Sequence, residues 1–195
     1  LKTGNYAIQF GDAFQSVLSK ENGEDIIKSE YQSAIEALVY ENPEIFYIDV
    51  TKMYINIEKI TKITGTKYNV YINNGSKPNY LAEGLNSKQD IENYETKIHQ
   101  VRDYIISDLE GKSNYEKIKE VHDYLVETIE YDKTLTGDNM YNIYGALVER
   151  KCVCEGYAKA FQYLMNELGI ENTIVIGTAT NNNNETESHA WNYVK

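Results

Sequence analysis

The chain has 195 residues, 42% of them hydrophobic and 12% aromatic, so it can bury a core as one or two domains. Its formal charge is −11, and its 19 lysines and arginines are scattered rather than clustered, which argues against nucleic acid or an anionic membrane surface as a partner. No apolar run reaches membrane-spanning length and no signal peptide stands at Leu1, so no membrane insertion is expected.

Taken in order, residues 12–38 keep helical spacing through Phe14, Val17 and Leu18, then Ile26, Ile27, Tyr31, Ala34, Ile35 and Leu38, and Asn22-Gly23 divides them into two helices. Asn42-Pro43 closes the second. Residues 46–50, 53–60 and 67–72 have strand composition, with Met53, Ile55 and Ile57 alternating in the second run. Asn73-Asn74-Gly75 is a turn signal. Residues 1–86 therefore read as an N-terminal α+β segment.

A second domain is expected over residues 87–195. Ser87 caps a long amphipathic helix through Ile91, Tyr94, Ile98, Val101 and Ile105, which Gly111 stops. Ser113-Asn114-Tyr115-Glu116 has the form of a capping box, and Ile118, Val121, Leu125 and Ile129 mark the helix behind it. His99 and His122 lie inside these helices and read as ordinary helical histidines.

Chemistry concentrates in Cys152-Val153-Cys154-Glu155-Gly156-Tyr157, which puts a thiol where an amphipathic helix begins. Ala158, Phe161, Leu164, Met165 and Leu168 follow at i, i+3, i+4, i+7 spacing, Gly169 is a stop, and the spacing predicts a helix over 154–168 with one buried face. Helix N-termini carry unsatisfied N–H groups and the positive end of the macrodipole, which favour a thiolate. The helix carries the chain roughly 20 Å away at 1.5 Å per residue. A β-branched strand over 173–178 returns it about as far. A polar loop then turns it, and His189, opening the next strand, is expected beside Cys154. Trp191 shares the strand face of His189 and would wall the imidazole from water or simply belong to the core.

Val153-Cys154-Glu155-Gly156-Tyr157-Ala158 and His189-Ala190-Trp191-Asn192 resemble the bacterial form of the transglutaminase-like superfamily of papain-type cysteine enzymes. Val121-His122-Asp123-Tyr124-Leu125, Tyr131-Asp132 and Tyr144-Gly145-Ala146-Leu147-Val148 extend the resemblance upstream to about Ser113. It implies an α+β, papain-like core in which the cysteine-bearing helix packs on an antiparallel sheet. It also implies Cys154 as nucleophile, His189 as general base, and a third member, an Asp on the following strand, which the chain does not reach before Lys195. Such a pair would transfer acyl groups from protein or peptide amides through a thioester, to an amine in a transglutaminase or to water in a peptidase or amidase. The oxyanion would be held by the Cys154 backbone N–H and an upstream donor, Tyr144 or Asn142.

Glu155 is expected to meet the helix dipole and Gly156 to permit a close approach, while Cys152 looks dispensable. No cofactor or metal is expected, because nothing resembles a calcium loop and a lone C-x-C lacks the other half of a zinc site. Two further readings compete with the enzyme: a non-catalytic binding module of a larger cell-surface protein, and a metal or redox protein acting through Cys152 and Cys154. From the resemblance the setting is secreted or on the surface of a Gram-positive bacterium, with substrates associated with the cell wall.

Overall fold

A computed structural model describes residues 8–72, 80–180 and 183–195. The chain divides into two compact units, one running up to Val39 and again over Tyr47–Gln89, the other over Tyr40–Phe46 and Asp90–Lys195. The expected turn at Asn73-Asn74-Gly75 lies outside the described residues.

In the first unit, strands β1 (Ile8–Gly11), β2 (Ile55–Lys62) and β3 (Gly65–Ile72) form an antiparallel sheet in the order β1-β3-β2. β2 and β3 pair along their whole length, from Ile55 opposite Ile72 to Lys62 opposite Gly65. Helices α1 (Gln15–Leu18) and α2 (Gly23–Glu41) accompany the sheet. Leu18, Ile27 and Val70 form its core, with Phe10, Phe14, Ile55 and Ile57 packed against them. The break between the two helices falls where Asn22-Gly23 predicts it, and its cause is steric: a Cβ at position 23 would stand 2.2 Å from the Val17 carbonyl oxygen.

Two elements of this unit differ from expectation. Residues 46–50 are not a strand. The Asp49 carboxylate accepts the Thr51 N–H at 3.0 Å and caps a 3-10 turn over Val50–Lys52, which leaves only an isolated bridge between Ile48 and Leu81. β1 was not expected, because four residues at the start of the described chain carry too little periodicity to announce a strand.

The second unit contains α3 (Lys88–Ser107), α4 (Asn114–Thr128), the short strands β4 (Glu130–Tyr131) and β5 (Lys151–Cys152), α5 (Cys154–Glu167), and the hairpin of β6 (Asn172–Thr180) and β7 (Thr186–Val194). The capping box at α4 is formed: Ser113 Oγ accepts the Glu116 N–H, and Glu116 Oε2 accepts the Ser113 N–H at 2.8 Å. α5 is the central element, with α4, the hairpin and a π-helical turn at Gly145–Glu149 packed around it. Burial is therefore not confined to one face, and Ala158, Ala160, Leu164 and Met165 are each 2% exposed or less. Gly169 ends it with φ +68 and a Schellman pair, its N–H donating to Asn166 and that of Ile170 to Met165.

The hairpin runs from Asn172 opposite Val194 to Thr180 opposite Thr186. β7 begins at Thr186, so His189 is its fourth residue rather than its first. Among the described residues no helix is long and apolar enough to cross a membrane.

Candidate active site

Cys154 is the first residue of α5 and is partly exposed. Its position is fixed from below by three buried contacts. β4 and β5 pair in parallel, with Tyr131 opposite Cys152 and the Asp132 N–H donating to the Cys152 carbonyl at 2.9 Å. The Val153 N–H donates to the Met140 carbonyl at 3.1 Å. Gly156 then lies so close to this floor that a Cβ there would stand 2.6 Å from Cys152 Cβ and 2.7 Å from the Met140 oxygen. Gly156 permits a close approach, as its residue type suggests, and what approaches is the chain itself.

Cys152 is wholly buried beneath the helix start. Burial, and secondarily the neighbouring Cys154, pushes its thiol up to about 12, so it stays protonated and inert at neutral pH. The two cysteines of one C-x-C thus occupy opposite environments, which counts against a shared metal or redox role. Among the described residues, no group of three or more His, Cys, Asp and Glu side chains stands together as a metal site.

Beside these contacts Asp132 is 0% exposed, and its carboxylate accepts three hydrogen bonds and pairs with one lysine. The partners are the Thr134 hydroxyl at 2.5 Å, the Thr134 N–H at 3.0 Å, the Gly137 N–H at 3.1 Å and Lys151 Nζ at 3.5 Å. The Thr134 hydroxyl, with these amides and the lysine charge, holds its carboxyl well below the usual carboxylate range despite burial. Farther along α5, Glu155 pairs with the buried Lys159 at 2.6 Å, and the Lys159 ammonium lies 5.2 Å from the centre of the Tyr40 ring.

The residue nearest the thiol that sequence reasoning passed over is Tyr131. Its phenol is close enough to Cys154 to feel the charge of a thiolate there. Its ring is stacked near Tyr157 at 6.3 Å and 17°, and the Tyr157 hydroxyl donates to the Ile129 carbonyl at 2.5 Å. Burial, then the negative charge of a Cys154 thiolate, raises the Tyr131 phenol above its ordinary value. The only sequence signal was its place in the Tyr131-Asp132 pair.

Tyr144 and Asn142 have other partners. Tyr144 is buried, stacked on Tyr94 at 3.7 Å, and its hydroxyl accepts from Lys97 Nζ at 3.1 Å. Asn142 Oδ1 accepts the N–H groups of Tyr144 and Gly145, and its amide donates to Asn139. Asn142 thus caps the π-helical turn at whose start Tyr144 stands.

β7 packs against α5, and the Asn192 amide donates to the Ala158 carbonyl, one turn beyond Cys154, at 2.9 Å. Ala190 and Asn192 face the helix; His189, by alternation, lies on the other face with Glu187 and Trp191. Trp191 covers Gly177, the residue opposite His189, and stacks 6.2 Å from the imidazole at 28°. Among the described residues no hydrogen bond joins His189 to Cys154. His122 is exposed on α4, with its Nδ1 3.1 Å from the Asp123 carboxylate.

A thiol on the first turn of a buried helix, packed on an antiparallel hairpin that carries a histidine, is the papain-like arrangement of α+β cysteine enzymes. The model of the transglutaminase-like superfamily matches residues 90–195, just over half of the chain, and the chain belongs to that family. No curated protein sequence matches it significantly.

Among solved structures, one described as the crystal structure of a TGase is 14% identical with a TM-score of 0.45, the match covering 75% of this chain and 42% of the other. A candidate cysteine protease from Cytophaga hutchinsonii is 16% identical with a TM-score of 0.40, over 72% of this chain and 58% of that one. A candidate protease from Parabacteroides distasonis is 11% identical with a TM-score of 0.34, over 66% and 30%. The chain thus spans about half the length of the first two.

Proposed function

We propose that this chain carries a cysteine-dependent acyl-transfer site acting on protein or peptide amides, with Cys154 as nucleophile and His189 as its acid and base. The observation that carries the reading is the pair of environments at the start of α5: Cys152 is sealed in the floor, while Cys154 is the partly exposed thiol on the helix's first turn.

In this reading the Cys154 thiolate attacks the amide carbonyl, a C–S bond forms, and the π pair moves to oxygen. As the tetrahedral species collapses, the C–N bond breaks and the imidazolium of His189 gives its proton to the departing amine. The remaining thioester passes to an amine in cross-linking or to water in hydrolysis, and the acceptor is selected by site shape and water access. Family membership also motivates a Gram-positive cell-surface setting with wall-associated protein substrates as part of this proposal.

The test begins with iodoacetamide labelling read by mass spectrometry on the folded chain. Cys154 is expected to be alkylated at neutral pH while Cys152 is untouched, and Cys154→Ala should remove both labelling and transfer from a glutamine peptide to an amine or water. Cys154→Ala should cost acyl transfer at least about 10³-fold while the chain still folds. Equal labelling of the two thiols, or transfer that survives Cys154→Ala, overturns the reading and leaves the non-catalytic binding module in its place.

A further inference from the structure

We infer that Asn192 is a positioning residue for His189: by tying β7 to α5 at the Ala158 carbonyl, it sets how far along the helix the imidazole stands from the Cys154 sulfur. The inference rests on the acyl-transfer reading above and assigns a part to the last residue of His189-Ala190-Trp191-Asn192, which that reading leaves without one.

β7 is held against α5 by little that resists sliding. β6 leaves the C-terminal end of α5 and β7 returns beside it, so β7 and α5 run in the same direction. Ala190 is the one buried residue of β7, and the burial of a methyl group is non-directional, so it tolerates a small shift along the helix. A hydrogen bond does not, because it weakens steeply as its length and angle change. Among the described residues the Asn192 amide makes the one hydrogen bond between β7 and α5, donating to the Ala158 carbonyl at 2.9 Å. A second tie, from the Asn172 amide to Asn166 Oδ1 at 3.0 Å, lies at the base of the hairpin, where Asn172 pairs with Val194. Asn192 is therefore the anchor nearer to His189.

Both reactive groups lie on the same side of this anchor. Counted back from the bond, Cys154 is roughly 6 Å away at 1.5 Å per helical residue, and His189 roughly 10 Å away at 3.3 Å per strand residue. His189 thus stands about 4 Å beyond the first residue of the helix. By alternation it is on the strand face turned away from α5, so the imidazole meets the thiol only where the strand runs past the helix start. The Asn192 bond sets that overhang, and a misplacement of about 1 Å in such a group costs on the order of 10²-fold in rate. Stability asks less of the bond. Inside the helix the Ala158 carbonyl already takes the Gln162 N–H, so loss of the Asn192 amide leaves that carbonyl with a partner.

p-Nitrophenyl acetate reads the thiol and the histidine separately. Each intact Cys154 releases one nitrophenolate in a burst as the acetyl thioester forms. Later release follows hydrolysis of that thioester: His189 takes a proton from water, the water oxygen adds to the carbonyl carbon, the C–S bond breaks and acetate leaves. Asn192→Leu keeps the side chain's bulk and loses the amide, while Asn192→Ala loses both, and melting of each checks the fold. The expected result for both is an unchanged burst amplitude with turnover slowed about tenfold or more. In a His189→Ala chain the same substitutions should change turnover by less than about threefold, because nothing is left to position. Turnover within about threefold of the parent, or an equal fall in both backgrounds, overturns the inference and leaves Cys154 and His189 in their roles. Unfolding of both variants also overturns it, since the bond is then structural. If the unsubstituted chain gives no burst, or His189→Ala leaves turnover unchanged, the acyl-transfer reading fails first and the inference with it.

Discussion

At the start of α5 nearly every atom around the cysteine is fixed by something buried: Cys152 beneath it, Gly156 against Cys152, and Asp132 bonded into the loop below. The hairpin that carries His189 is secured more lightly. Ala190 is its only buried residue among those described on β7, the Asn192 amide makes a single bond to α5, and Trp191 and Tyr193 are 42% and 65% exposed. The difference teaches that the position of Cys154 is set by packing and that of His189 by strand register and one indole. Insults at the two ends should then register differently, as stability at the first and as rate at the second.

The sharpest break of the first end is Gly156→Ala. The new methyl would stand 2.6 Å from Cys152 Cβ and 2.7 Å from a backbone carbonyl, and neither is the far end of a flexible side chain. Relief requires moving β5 or the first turn of α5, at a cost of about 1 to 3 kcal/mol. Thermal unfolding should show that loss, and labelling of Cys152 by iodoacetamide should rise with it, because the floor that seals this thiol is the part displaced. A variant as stable as the parent would mean that the floor is softer than its packing implies.

Acid tests the same end more gently through Asp132. Its carboxyl is held below the usual range in the folded chain, chiefly by the Thr134 hydroxyl and then by the Gly137 and Thr134 amides and Lys151. A depressed folded value gives stability that is complete above the unfolded value of about 3.9 and is lost as the pH falls through the folded one. Melting temperatures followed from pH 7 downward should therefore begin to drop as the medium nears pH 4. Asp132→Asn should be less stable at pH 7 and show a shallower acid loss than the parent. Parallel pH curves for the two would remove Asp132 from the account.

Legibility in the sequence follows the same division. The long helices, the capping box at Ser113 and the stop at Gly169 were readable because each rests on local spacing or on one residue's conformational preference. The path out along α5 and back along β6 was readable, since helix rise and strand rise are nearly constants. Tyr131 was not, because its approach to the thiol depends on a parallel pairing of two-residue strands separated by some twenty residues of loop and π-helix, and no periodicity survives in so short an element. The burial of Cys152 was hidden for a related reason: burial under a helix start is a tertiary fact, and the spacing of C-x-C carries none of it. Residues 46–50 looked like a strand by composition, but one carboxylate, Asp49, offers the backbone a turn instead.

The smallest predicted change in stability, and the one that separates the two ends most cleanly, is Gly177→Ala on the hairpin. A methyl there would meet Trp191 Cη2 at 2.7 Å, an atom at the tip of a side chain that is 42% exposed and free to swing outward. The indole should yield at a cost within about 0.5 kcal/mol, as surface substitutions usually do. The imidazole that stacks on that indole then loses its wall and its preferred orientation, while the thiol and its floor are untouched. Melting should be unchanged and iodoacetamide labelling of Cys154 only slightly altered, yet acyl transfer that depends on His189 should fall by about tenfold, as for a mis-set general acid and base. If transfer is unaffected, the indole does not orient His189 and the hairpin places its histidine by strand register alone.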